Sequence, residues 1–303
     1  MSRWGRFFWD ILVINGKEVF FMTIREAITK ASIKLKTKNI DSPKQKARLL
    51  MQYVLHKNRQ YLIVYDEKKL TPNQEERYFE GVSRMLQGIP LQHITHLQEF
   101  MKMNFYVNKD VLIPRQDTEV LVEEVIKIAK RINAKKILDL CTGSGAIAIS
   151  LAKYIENSQI TATDISEKAL EIAEKNAIEQ KVDKQIAFLQ SDLFNDIPKE
   201  KYDIIVSNPP YIKKDVIKTL NQEVQKEPII ALDGGIDGLK FYHKIISNSY
   251  EFLKYGGYLC LEIGYDQKID VIELIEKEEK YVNTYGKKDL YDNDRIIITK
   301  VGD

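Results

Sequence analysis

The chain has 303 residues, 44% of them hydrophobic, enough to bury the core of one large domain and a smaller companion. Its formal charge is only +2, but residues 1–21 carry a net +1, residues 22–100 a net +6 and residues 101–303 a net −5. No apolar run approaches the roughly 20 residues needed to cross a bilayer, and two distant cysteines, Cys141 and Cys260, exclude a disulfide framework or a zinc knuckle.

A reducing, cytoplasmic setting fits this cysteine usage. The four histidines include no H-x-x-x-H pair, so no metal is expected. The basic stretch before residue 100 suits an anionic or nucleoprotein partner, or is simply a solvated surface.

Residues 1–21 resemble a signal sequence only superficially, because Asp10, Lys17 and Glu18 interrupt the apolar residues and no small-residue cleavage site follows. Ordered structure is expected from Met22, where Thr23 and Glu26 form a capping box. Ser42-Pro43-Lys44-Gln45 gives a second such start, opening a helix whose apolar face is Ala47, Leu50, Met51, Val54 and Leu55. Another helix is expected over 71–86. Residues 22–88 therefore read as a small helical bundle ended by Gly88 and Pro90.

Residues 89–116 read as a linker. Alternation from Glu99 to Ile113 predicts a β-hairpin within it that turns at Asn108-Lys109-Asp110. After a helix over 118–131, strands are predicted at 135–140, 159–165, 185–190, 202–207 and 257–264. Helices are predicted at 146–155, 166–180, 239–254 and 267–279. This alternation predicts an α/β domain over 117–303, with a mostly parallel doubly wound sheet. The last two strands, near 281–287 and 293–300, are too close for a crossover helix and should close the sheet as an antiparallel hairpin.

The first of these strands runs into Cys141-Thr142-Gly143-Ser144-Gly145 and then a helix, the place where an α/β sheet binds ligands. Asp164 ends the next strand, positioned to accept ribose hydroxyls. Gly143-Ser144-Gly145-Ala146-Ile147-Ala148 also satisfies the permissive dinucleotide fingerprint, so a nicotinamide or flavin cofactor is the rival at this point. Three features favour S-adenosylmethionine. Asp139 can favour the cationic amino group of a methionine moiety. Asp192 can accept from an adenine amine, with Leu193 and Phe194 as apolar cover. The third lies at the end of the fourth strand.

That strand stops at Asn208-Pro209-Pro210-Tyr211. A planar NH2 group conjugated to a carbonyl or ring is a poor nucleophile because its lone pair is delocalised. If the Asn208 side-chain oxygen and the Pro209 carbonyl accept its two hydrogens, the lone pair is aimed at the methyl group, with Tyr211 as a flat face against the substrate. Together with Asp139–Ala148, the tetrapeptide resembles class I S-adenosylmethionine-dependent amino-methyltransferases. Gly88–Ile94, Glu99-Phe100 and Val111–Glu119 make the chain more specifically similar to the HemK/PrmC family of release-factor glutamine methyltransferases, over about residues 22–300. Residues 1–21 fall outside the likeness and are expected to be an N-terminal extension.

The resemblance implies a Rossmann-like, mostly parallel seven-stranded sheet and a helical substrate-recognition domain. It implies S-adenosyl-L-methionine as cofactor and methylation of the glutamine in the Gly-Gly-Gln loop of class I peptide chain release factors. It also implies that Pro114, Arg115, Thr118 and Glu119 cap the cofactor pocket, against a simple helix start capped by Asp117 or Thr118. Three positions depart from the family's habit: Cys141 for glycine, Gln116 for proline, and Leu193 for an aromatic.

The alternatives are a ribosomal-protein glutamine methyltransferase and a nucleic-acid adenine or guanine amino-methyltransferase. The latter must flip its base, and it fits poorly with an acidic catalytic part and the short stretch between Tyr211 and Gly238. A non-catalytic binding module has little use for both the loop and the tetrapeptide. No stable nucleic-acid or membrane association is expected.

Overall fold

Threonine caps organise the first part of the computed structural model, which describes residues 12–14, 17–19 and 21–302. The expected extension over residues 1–21 lies largely outside the described residues. Within it, strands β1 (Leu12–Ile14) and β2 (Lys17–Val19) pair antiparallel.

The N-terminal unit comprises α1 (Ile24–Thr37), α2 (Pro43–Leu55), α3 (Arg59–Val64), α4 (Pro72–Leu86) and α5 (Leu91–Thr95). Thr23 with Glu26 and Thr71 with Gln74 close complete capping boxes, each satisfying two otherwise orphaned donors. The box expected at Ser42 does not form. Ser42 is left-handed, with φ +50°, and its hydroxyl makes no cap bond, leaving Pro43 to start the helix. Ala47, Leu50, Met51 and Val54 are buried, whereas Leu55 is half-buried.

The compact units divide at Thr95/His96, not at Gly88. Leu91 and Ile94 of α5 enter the helical core, so a glycine-proline break ends α4 without ending the unit.

The second unit begins with β3 (Gln98–Phe100) and β4 (Met103–Phe105). Their hairpin turns at Met101-Lys102, both with positive φ, rather than at Asn108–Asp110. A two-residue turn of this kind is normally announced by Asn-Gly or Asp-Gly, so Met-Lys gave no signal. Asn108 instead accepts the Asp110 N–H in a side-chain-closed bend. Nor is this segment a free linker. Phe100, Met103 and Phe105 join the sheet's core, while Val107 and Val111 pack with Ala169 and Ile172.

α6 (Thr118–Ile132) precedes β5 (Lys136–Leu140), α7 (Ala146–Tyr154), β6 (Gln159–Asp164), α8 (Glu167–Gln180), β7 (Ile186–Gln190) and β8 (Tyr202–Ser207). α9 (Lys240–Phe252), β9 (Leu253–Glu262), α10 (Lys268–Glu276), β10 (Tyr281–Lys288) and β11 (Asp294–Val301) complete it. The seven-stranded sheet has the order β10-β11-β9-β8-β5-β6-β7; β5 to β9 run parallel and β11 is antiparallel to both neighbours. Strand β9 starts earlier than expected because Gly256, at φ +72°, carries it through an irregularity in its pairing with β8.

Alternating residues of β5 face two cores. Ile137 packs with α6 and α7, and Leu138 and Leu140 pack with α9 and α10. β5 is flanked by β6 on one side and β8 on the other, so the chain reverses direction across the sheet beside it. The carboxyl ends of β5 and β8 border the resulting crevice.

Asn176 of α8 couples this sheet to the segment after the hairpin. Fully buried, it accepts from Tyr106 N (2.7 Å) and donates to Tyr106 O (3.0 Å) and to Ser144 O in the loop after β5 (2.9 Å). Asn176→Ala leaves these three backbone groups without their partner, and should lower unfolding stability by about 2 kcal/mol in denaturant titration. A loss below about 0.5 kcal/mol would show that water replaces the side chain freely.

Candidate cofactor and substrate site

Two glycines shape the loop between β5 and α7 for different reasons. Gly143 has φ +55° with open space where a Cβ would stand, so it keeps the backbone accessible to a ligand. Gly145 has φ +80°, and a Cβ there would lie 2.9 Å from Ile149 Cδ1 and 3.0 Å from Ala173 Cβ, so it lets α7 approach α8. Cys141 is also left-handed, at φ +61°, a conformation that favours glycine.

Below the loop, Asp139 is fully buried. Its Oδ2 accepts from Thr142 Oγ1 (2.6 Å) and Ala148 N (3.2 Å), whereas Oδ1 has no partner. Burial pushes its pKa up to about 7 against the pull of those two donors. Asp164, at the end of β6, accepts from Gly143 N (2.9 Å) and Ser166 N (2.9 Å); burial raises its pKa as well. Asp192, beyond β7, is more open and lies 3.9 Å from Lys244 Nζ, a contact too exposed to contribute much stability.

Cys141, Gly143, Asp164, Asp192, Leu193, Asn208 and Pro210 line one cavity of about 210 Å³ at the carboxyl edge of the sheet. Asn208, Pro209 and Tyr211 line a second of about 230 Å³. Asn208 belongs to both, so it stands on the wall between them. Asp139, Thr142, Ser144 and Gly145 are not on the cavity wall; they build the loop from behind. Phe194 does not cover the cavity either. It turns away and stacks on Phe252, ring centres 4.8 Å apart, so of the two only Leu193 reaches the cavity.

The tetrapeptide is held from several directions. Asn208 Nδ2 donates to Thr118 Oγ1 (3.3 Å), and Tyr211 OH donates to Glu262 Oε1 (3.3 Å). Gln267 Nε2 donates to Tyr211 O (3.1 Å), and a Cβ on Gly234 would fall 2.7 Å from the Tyr211 backbone, so the following loop closes tightly on it. Thr118 thus serves the site rather than capping α6, and Asp117 makes no cap bond. Arg115 pairs with buried Glu227, which also accepts from Ile113 N (2.9 Å), clasping the segment before α6 to the loop after Tyr211.

Sequence reasoning missed Glu227 and Glu262. Glu262 had a usable signal, an acid closing the apolar run Leu259–Leu261 at the carboxyl end of a strand beside β8. Glu227 had none, because its partners lie more than a hundred positions away.

Comparison with known proteins decides the family. The release factor glutamine methyltransferase of Clostridium acetobutylicum is 39% identical over 284 residues, covering 93% of this chain and 99% of that protein. The protein of the same name from Moorella thermoacetica is 38% identical, covering 91% and 98%. The chain belongs to the release factor glutamine methyltransferase family.

Within it, the PrmC N-terminal domain matches residues 26–95 and the methyltransferase small domain matches residues 115–233. A methyltransferase of known structure from Pyrococcus furiosus shares the fold at 17% identity, with a TM-score of 0.50 over 77% of this chain and 100% of that one. Relative to the family's habit, Gln116 is exposed and carries no visible penalty, and Leu193 still reaches the cavity. Cys141, at φ +61°, and Leu193, at φ +54°, both put a side chain where the backbone favours glycine.

Asp139 makes stability pH-dependent. Its folded pKa, about 7, lies above the ordinary 3.8, so the fold holds this proton more tightly than the unfolded chain. That contribution is complete below the ordinary value and is lost as pH rises through about 7. Asp139→Asn removes it. Between pH 4 and pH 8 the melting temperature of the variant should therefore gain on the native chain by about 5 °C or more; a constant offset would refute the assignment.

Proposed function

We propose that this chain is a cytoplasmic enzyme that transfers the methyl group of S-adenosyl-L-methionine to the side-chain amide nitrogen of the glutamine in the Gly-Gly-Gln loop of class I peptide chain release factors. The observation that carries the reading is the position of Asn208 on the wall shared by the two cavities, so that a group held in one meets a group held in the other.

The residues of the first cavity fit the cofactor. The open backbone at Gly143 admits a close ligand. The orphaned Asp139 Oδ1 suits an ammonium donor beneath the loop shaped by Cys141, Thr142, Ser144 and Gly145. Asp164 suits ribose hydroxyls, and Asp192 with Leu193 suits an adenine edge and face. Bound there, S-adenosylmethionine supplies an electrophilic sulfonium methyl.

In the second cavity, Asn208 Oδ1 and the Pro209 carbonyl accept the two amide hydrogens of the substrate glutamine. Pro209 and Pro210 stiffen the strand end, and Tyr211 presents its ring to the amide plane. Orientation of the nitrogen, rather than its deprotonation, is the main gain. The N-terminal helical unit, basic in sequence, recognises the protein substrate.

Methyl-labelled cofactor offered with a class I release factor, the same factor with its Gly-Gly-Gln glutamine replaced, a ribosomal protein and DNA tests the assignment. Label should enter the intact factor alone; label on the replaced factor or on DNA would sink it. Asn208→Ala should keep S-adenosylhomocysteine binding while turnover falls on the order of 10²- to 10³-fold.

A further inference from the structure

Behind the tetrapeptide lies a chain of polar side chains that the proposed reaction does not itself use. Asn208 Nδ2 donates to Thr118 Oγ1, and Thr118 is 4% exposed. Because Thr118 accepts this hydrogen, its own hydroxyl proton needs an acceptor. Glu262, 1% exposed, takes the Tyr211 hydroxyl on Oε1, while Oε2 is buried with no hydrogen-bond partner. The Thr118 hydroxyl lies close enough to this carboxyl to favour its ionised form. Thr118 thus has a proton to give, and Glu262 an oxygen that accepts none.

The direction of every bond follows from the carboxylate. Above about pH 7 Glu262 is a carboxylate, which only accepts, so Thr118 donates to it and can then only accept from Asn208. That commits the NH2 end of the Asn208 amide inward and turns its Oδ1 outward, to the wall shared by the two cavities. Without the Thr118 hydroxyl the amide is free to rotate by half a turn. An NH2 then faces the substrate NH2, and two donors oppose each other. The same carboxylate holds the Tyr211 hydroxyl, so one buried group sets both ends of the tetrapeptide.

We propose that Glu262 and Thr118 are positioning residues, forming a relay Glu262–Thr118–Asn208 that fixes which face of the Asn208 amide the substrate nitrogen meets. This rests on the reading of Asn208 as the acceptor of an amide hydrogen. Arg295 does not short-circuit the relay, because it is drawn toward Asp289 (3.1 Å) and Asp117 (3.3 Å). Glu262 thereby keeps an oxygen for Thr118.

The test is a double-substitution cycle on the full chain, with steady-state kinetics against a release factor. Thr118→Val, nearly the same in shape, should lower kcat about tenfold while the KM for S-adenosylmethionine stays within about twofold. Thr118→Ser, which keeps the hydroxyl, should restore kcat to within about threefold of the native value. Added to Asn208→Ala, Thr118→Val should lower kcat no further, since no amide remains to be oriented. The relay is overturned if Asn208→Ala is impaired but Thr118→Val is silent, or if Thr118→Val lowers kcat equally in both backgrounds. If Asn208→Ala turns over normally, the acceptor reading itself fails, and the relay with it.

Discussion

The parallel pairing of β5 with β6 on one side and β8 on the other is the constraint on which the site depends. Strands that run the same way end at the same edge, so residues distant in sequence meet there without any local tendency to associate. Cys141 leaves β5, Asp164 ends β6, Asp192 follows β7 and Asn208 follows β8. If one strand were reversed, its cavity-lining residue would lie at the opposite end of the sheet. The alternating apolar residues of β5 pin the register, because a slip of one residue would turn Leu138 and Leu140 into the wrong core.

The same edge is where the sheet tolerates buried acids, and the three deepest are handled differently. Glu227 has Arg115 and a backbone N–H, so burial still raises its pKa but both oxygens are satisfied. Asp139 has two donors on one oxygen and none on the other. Glu262 is pushed up to about 7 by burial, and only the Thr118 hydroxyl, the Arg295 charge and the Tyr211 hydroxyl draw it down. An acid that clasps two loops needs a full complement of partners. The two acids left short of one lie beneath the loop and behind the tetrapeptide.

The sequence was legible wherever a local rule decides the outcome. Strand and helix alternation placed all seven strands of the sheet, and Thr71 with Gln74 closed a capping box at the expected start. Gly143 and Gly145 signalled a tight loop, although their different duties appear only once Ala173 is seen against Gly145. Where sequence failed, the deciding partner was remote or the residue atypical. Met101-Lys102 adopts a turn that its side chains do not favour, where Phe100 and Phe105 pack edge to face with ring centres 6.0 Å apart. Phe194 is drawn off by Phe252. Thr118 resembled a helix cap because the grammar of caps is local, whereas its partner Asn208 is 90 residues away.

Cys141 tests how far such an edge can bear strain. A left-handed residue other than glycine is disfavoured by about 1 kcal/mol or more, and relaxing the backbone here would shift the loop that builds the cavity. Hydrogen bonds on the loop after it prevent this: Thr142 N to Thr163 O at 2.9 Å, Gly145 N to Thr142 O at 2.9 Å, and Gly143 N to Asp164 at 2.9 Å. The loop is therefore fixed by its neighbours rather than by the preference of its first residue. Burial also drives the thiol pKa upward, so Cys141 meets the cavity as a neutral, weakly polar wall. A glycine there would relieve the backbone and remove that wall, so the cysteine exchanges local strain for contact area beside the shared Asn208.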